Sequence, residues 1–115
     1  MGDVGAQYLA YALQHNKTLT ILNIGNIRIG AVGAQHLAHA LRRNTTLTIL
    51  DLWCNDIGYI GGQHFSDALQ HNRTLTKLNI GSEYIGGDTM HEINGFMRRN
   101  KSERKSEMVI INVFG

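Results

Sequence analysis

His36 and His39 stand three residues apart, and His64 falls 28 residues after His36, a pattern that would stack three imidazoles on one side of adjacent helices. Imidazoles so placed could share a cation, but a zinc site draws three or four protein ligands. No carboxylate or cysteine falls in register with them, so the expectation is a solvated helix face and no metal. His15 and His71 precede Asn16 and Asn72 and are placed to meet exposed carbonyls at helix ends. Arg42, Arg43, Arg98 and Arg99 fall where cations offset a helix dipole by about 0.3–1 kcal/mol each. Together with Arg73, Lys101, Arg104 and Lys105 they could line a basic edge for phosphate, which supplies an alternative reading as a nucleic-acid binder. Stacking and base-reading groups are not interleaved with them, so no nucleic acid is expected. Serine, histidine and acidic residues show no nucleophile-elbow context and no pair of carboxylates that a shared cleft would hold. The chain is therefore expected not to be an enzyme, with no catalytic residues and no cofactor.

Composition narrows the setting. The 115 residues are 43% hydrophobic and 17% charged, as expected of one globular domain, residues 1–115, with a modest core. A net charge of +2 with dispersed basic residues gives no electrostatic drive toward nucleic acid or anionic membrane. Cys54 is the sole cysteine, so no internal disulfide can form. No apolar run is long enough to span a bilayer, and Met1 to Gly5 lacks the basic and apolar regions of a signal peptide. Cytosolic folding, away from membrane, is the expectation.

The elements that position these residues recur. Leu19, Leu47 and Leu75 each sit in a TLTxL stretch, and shifting residues 5–32 by 28 matches 15 positions, where unrelated sequence would match about two. Each unit, about 2–29, 30–57, 58–85 and 86–115, reads as a helix followed by a strand. Ala6, Leu9, Ala10 and Leu13 have helical spacing, repeated by Ala34, Leu37, Ala38 and Leu41, then by Gly62, Phe65, Ser66 and Leu69, then by Met90, Ile93, Asn94 and Met97. Asn16, Asn44, Asn72 and Asn100 are expected to end the helices, being a residue type that tolerates the left-handed conformation. All four also begin glycosylation-type Asn-x-Thr/Ser triplets, which read more simply as helix end plus turn. LTILNI, LTILDL and LTKLNI then alternate inward and outward residues as half-buried strands do.

Leu47, Leu50, Leu52, Asn55 and Ile57 spell an LxxLxLxxNxI pattern that resembles the leucine-rich repeats. The 28-residue unit with a full helix resembles their ribonuclease-inhibitor-like subclass, and the IGxxGAQxLAxAL and NxTLTxL wording resembles leucine-rich repeat effectors of intracellular bacteria such as Legionella. The resemblance implies an α/β fold: a right-handed solenoid with a parallel sheet on the concave face and helices on the convex face. It also implies a non-catalytic protein-interaction module, an effector carried into a host cell by a specialised secretion system and meeting a host protein there. Ile27 and Glu83 replace the pattern's asparagine in the first and third units, so its side-chain ladder is expected to be incomplete. Inserting five residues aligns Met108, Ile111, Asn112 and Val113 with Leu19, Leu22, Asn23 and Ile24, which predicts a fourth strand over 108–113 and an excursion at SERKSE. Four strands with open edges could also pair between chains as a homodimer.

Residues 28 apart on adjacent strands form ladders on the outward face: Ile21, Ile49, Lys77 and Ile110; Asn23, Asp51, Asn79 and Asn112; Gly25, Trp53, Gly81 and Phe114. Trp53 between two glycines has either an open notch beside it or room to lie flat over the sheet. Its alternatives are a binding hot spot or a simple cover for glycine backbone. The expected protein-binding residues are Ile21, Asn23, Ile49, Asp51, Trp53, Lys77 and Asn79. A structural fragment of a longer solenoid remains the other reading.

Overall fold

Ala6, Ala10 and Leu13 turn one face of α1 (Gly2–His15) into the interior, with Leu9 partly buried beside them. The copies of this face do the same: Ala34, Leu37, Ala38 and Leu41 on α2 (Ala31–Leu41), and Phe65, Ser66 and Leu69 with Gly62 on α3 (Gly58–Leu69). In this computed structural model residues 2–81 and 84–114 are described, the side chains of 105–114 excepted. Glu83, the acidic residue at a pattern asparagine, lies outside the described residues. The helices pack side by side in chain order, and close approach is built in. A β-carbon on Gly33 would stand 2.6 Å from Asp3 Oδ1 and 3.0 Å from the Ala6 β-carbon, so only glycine lets α1 and α2 meet there. Asp3 also accepts a 2.7 Å hydrogen bond from the Gly30 N–H, capping the start of α2 from the neighbouring unit.

Three short strands, β1 (Ile21–Asn23), β2 (Ile49–Asp51) and β3 (Lys77–Asn79), form a parallel sheet in the order β1-β2-β3. Ile21, Ile49 and Lys77 are in register, as are Leu22, Leu50 and Leu78, and Asn23, Asp51 and Asn79. Leu50 is fully buried and Leu22 and Leu78 pack against the same core, so the leucine column points toward the helices. Leu47, Leu52 and Ile57 join it. Asn55 is the hub of the following loop: its Nδ2 donates to the carbonyls of Ile24 and Leu52, and its Oδ1 accepts from the N–H groups of Ile27 and Ile29.

The fourth unit departs from the plan. Instead of a strand over 108–113, α4 runs without interruption from Gly87 to Phe114. No proline or glycine stands between Lys101 and Phe114 to stop it. Glu103, the position that strict periodicity assigns to a core leucine, instead reaches Arg73 across a 2.6 Å salt bridge. Ile110, Asn112 and Phe114 therefore join no strand ladder. On α4, Ile93 and Met97 are buried and Met90 partly so, while Asn94 is exposed. The expected right-handed solenoid of four repeating units is thus corrected to four helices backing a small, open, three-stranded sheet among the described residues.

The asparagines at the helix ends work differently from the expectation. None of Asn16, Asn44, Asn72 and Asn100 has a positive φ; among the described residues the left-handed non-glycine ones are Asn26, Arg28, Cys54 and Tyr84, in the loops after the strands. Asn44 donates its Nδ2 to the carbonyls of Leu13 and Asn16, and its Oδ1 accepts from the N–H groups of Thr46 and Leu47. Asn72 repeats this toward Leu41, Asn44, Thr74 and Leu75. Both are 2% exposed, so each carboxamide supplies the partners that helix-end carbonyls and turn N–H groups lose when they leave water. Asn100 lies inside α4, and its Nδ2 donates to Asn72 and Leu75. Arg99 takes the remaining place, donating from Nη2 to the carbonyls of Leu69 and Asn72.

Candidate protein-binding face

The sheet face turned away from the helices carries the residues expected to bind. Ile21 is 58% exposed, Asn23 and Lys77 are exposed, and Ile49, Asp51 and Asn79 are half-buried. The register brings six of the seven together as two columns of three, one per strand position. Asn23, Asp51 and Asn79 also shape the chain. Their Oδ1 atoms accept from the N–H two residues on, at Gly25, Trp53 and Gly81, with distances of 3.2, 3.0 and 3.3 Å, a turn that releases the backbone from each strand.

Trp53, the seventh, stands just beyond the end of β2. Its indole lies over Gly25, with Nε1 only 1.9 Å from where a β-carbon would be built, yet the residue keeps 46% of its surface exposed. On its other side, nothing stands within 4 Å of the equivalent point on Gly81. Of the two arrangements left open by the sequence, the structure shows the ring covering Gly25. With Ile21 and Ile49 alongside Asp51 and Lys77, the face offers apolar contact, one carboxylate and one ammonium.

The opposite, helical side holds the histidines. His36 and His39 line a groove of about 540 Å³ between α1 and α2, with Tyr8, Tyr11, Gln7 and Gln14. A smaller groove of about 320 Å³ between α2 and α3 brings His64 and Asp67 near them. Asp67 is a carboxylate that sequence spacing did not attach to the histidines; even so, no group of three or more His, Cys, Asp or Glu among the described residues could hold a metal. Two residues of the basic edge serve structure: Arg73 pairs with Glu103, and Arg99 donates to two carbonyls while standing over the Phe96 ring. Partial burial, then the neighbouring Arg73, hold the Arg99 guanidinium below the usual arginine range, with Glu103 opposing. Tyr8 and Tyr11 are 74% and 71% exposed, as their places off the apolar face of α1 in the sequence imply.

A family model described as "Leucine Rich repeat" matches residues 15–38 and 43–66. No curated protein matches the chain. Among solved structures, one described as "Leiomodin-1 Actin-Binding Site 2 (ABS2)" is similar over 96% of this chain, at 25% identity and a TM-score of 0.85. The chain spans 64% of that structure's length. A tropomodulin C-terminal domain from Caenorhabditis elegans is similar over 95% of this chain and 83% of its own, at 12% identity and a TM-score of 0.58. These likenesses correct the earlier resemblance. The ribonuclease-inhibitor-like subclass and the bacterial effectors give way to the leiomodin and tropomodulin domains, and with them goes the ground for secretion into a host cell. The solved structure similar to the chain at 25% identity is described as a binding site and not as an enzyme. No helix among the described residues is long and apolar enough to cross a membrane.

Proposed function

We propose that this chain binds actin, and that the contact surface is the outward sheet face of Ile21, Asn23, Ile49, Asp51, Trp53, Lys77 and Asn79. The observation that carries the reading is the match, over 96% of the chain, to a structure described as an actin-binding site. The face itself adds chemical support. A half-exposed indole held in one orientation over Gly25 is a low-entropy anchor, and aromatic residues of this kind dominate interface energetics. Ile21 and Ile49 extend the apolar contact, while Lys77 and Asp51 supply charges that orient an approaching partner more than they strengthen the complex.

The test is co-sedimentation with filamentous actin together with a titration of labelled monomeric actin, comparing wild type with Trp53→Ala. Saturable binding to either form, weakened in the variant, supports both the partner and the face. Saturable binding that Trp53→Ala leaves unchanged keeps the partner and removes the face. No binding to either form removes the partner.

A further inference from the structure

The asparagine hubs gather at one pole of the molecule the basic residues that the sequence disperses. The Nδ2 groups of Asn44, Asn72 and Asn100 donate to the carbonyls of Asn16, Asn44 and Asn72, each one unit earlier, at 3.2, 3.1 and 3.1 Å. This chain of bonds holds the residues beside the four asparagines next to one another across all four units. Within two residues before and one after an asparagine stand Lys17, Arg42, Arg43, Arg73, Arg98, Arg99 and Lys101, and no acidic residue. Acidic groups mark the other ends of the helices: Asp3 and Asp88 lie in the first turns of α1 and α4, and Asp56 in the loop before α3.

Helix dipoles account for only part of this pole. A cation offsets the dipole in the last turn of a helix, yet α4 continues to Phe114, so Arg98, Lys101 and Arg104 stand well inside it. Lys17 and Arg73 lie past the ends of α1 and α3. Nor does a neighbouring unit cover the patch, because Arg42 and Arg43 stay exposed although α1 and α3 pack on either side of α2. Among the described residues one carboxylate meets a cation here, Glu103, at 2.6 Å from Arg73. That pair shows the chemistry the patch accepts. Lys17, Arg42, Arg43, Arg98, Lys101 and Arg104 remain exposed around it.

We infer that this pole is a docking surface for an acidic segment of a partner protein, whose carboxylates pair with the exposed arginines and lysines as Glu103 pairs with Arg73. Arginine forks match carboxylate oxygens two at a time, and complementary charge draws such a segment in. A nucleic acid would need free rings to stack its bases. The rings bordering the patch are already met: Tyr11 by His15, with centroids 4.9 Å apart, and Phe96 by the Arg99 guanidinium 4.9 Å from its centroid. An anionic bilayer would need apolar side chains inserted beside the cations, but the exposed Val4, Val32 and Ile60 stand in the first turns of α1, α2 and α3, at the other ends of those helices. The pole shares no residue with the outward sheet face, so the inference stands whether or not that face binds actin.

The probe is a labelled oligoglutamate peptide, titrated with the full chain by fluorescence anisotropy at low and at physiological salt. Saturable binding that weakens as salt rises is expected, and Arg42→Glu and Arg43→Glu should each weaken it at least about fivefold. Arg28→Glu changes the net charge by the same amount in a loop away from the pole, and should leave binding within about twofold of wild type. Glu103→Gln should strengthen binding, because it frees the Arg73 guanidinium for the peptide. Lys101→Glu serves if either arginine variant unfolds. No saturable binding, or equal losses in Arg28→Glu and Arg43→Glu, would overturn the inference, the second by reducing the effect to net charge. A single-stranded oligonucleotide of equal charge, or phosphatidylserine–phosphatidylcholine vesicles, bound more tightly than the peptide and lost in the same variants, would overturn it too, since the occupant would then be nucleic acid or membrane.

Discussion

Trp53 and Gly25 are locked together: the indole occupies the space a β-carbon on residue 25 would need, with Nε1 at 1.9 Å, Cδ1 at 2.1 Å and Cε2 at 2.4 Å from that point. The glycine thus sets the orientation of the tryptophan from the neighbouring unit. If the sheet face binds actin, Trp53→Ala should weaken the complex by about 2 kcal/mol or more. Gly25→Ala should also weaken it, by displacing a ring it does not itself contain. Lys77→Ala and Asp51→Ala should have smaller effects, visible in the salt dependence of association. His36→Ala and His64→Ala, on the helical side, should change nothing. Titration of the six variants against one actin preparation, with unfolding followed in parallel, checks the set; loss of binding in His36→Ala alone would move the site to the helices.

The core assignment makes a second prediction. Leu50 is fully buried in the leucine column, so Leu50→Ala should cost about 2–5 kcal/mol. Thr48, just before β2, is half-buried, its hydroxyl donating to the Thr20 carbonyl at 3.0 Å. Thr48→Ala should therefore cost about 0.5–1.5 kcal/mol, the net worth of one hydrogen bond. Denaturant unfolding of both variants measures the gap, and equal losses would show that the strand faces are misassigned.

Asn72 and Asn16 share a motif and differ in burial. Removing the Asn72 carboxamide strands two carbonyls and two N–H groups in a dry site, so Asn72→Ala should destabilise by about 2–4 kcal/mol. Asn16 is exposed, where water replaces what alanine removes, and Asn16→Ala should cost about 1 kcal/mol or less. Thermal unfolding of the pair tests whether burial or the turn itself makes these asparagines matter.

Cys54 sits at φ 55°, a left-handed conformation that a side chain with a β-carbon resists, and Asn26, one unit earlier, holds nearly the same φ of 56°. Asparagine tolerates this region better, so Cys54→Asn should raise stability by about 0.5–1 kcal/mol. Cys54 is exposed, and the exchange disturbs no core contact. An unchanged or lower melting temperature would contradict the account.

Which residues face the core was readable from spacing alone. Ala34, Leu37, Ala38 and Leu41 recur at helical intervals and all four are buried; Leu50 and Leu52 are buried as strand alternation requires, and Leu47, in the turn before the strand, is buried with them. The three-way register Ile21, Ile49 and Lys77 was also legible, because units of equal length must stack their strands in step. The fourth unit was not. Aligning Met108 with Leu19 used the apolar pattern alone, and a short apolar run fits a helix as readily as a strand. The shape of the family likeness was misjudged for a related reason: the short repeat wording is shared more widely than any one tertiary arrangement, and the likeness that spans the chain emerged from the backbone.

By itself the sequence determined the period, the order of helix and strand in the first three units, the inward columns and the absence of an internal disulfide, since these depend on neighbouring residue types and on the count of cysteines. The tertiary structure alone decided that Asn44 and Asn72 are buried hubs between units, that Arg99 replaces a carboxamide beside Asn100, that α4 continues past Asn100, and that the Trp53 indole lies over Gly25 and away from Gly81. Each of these outcomes turns on which unpaired carbonyl, N–H group or open space a neighbouring unit presents. Side-chain hydrogen bonds and close contacts between residues about 28 apart are set by three-dimensional distance and desolvation, and a linear pattern carries neither.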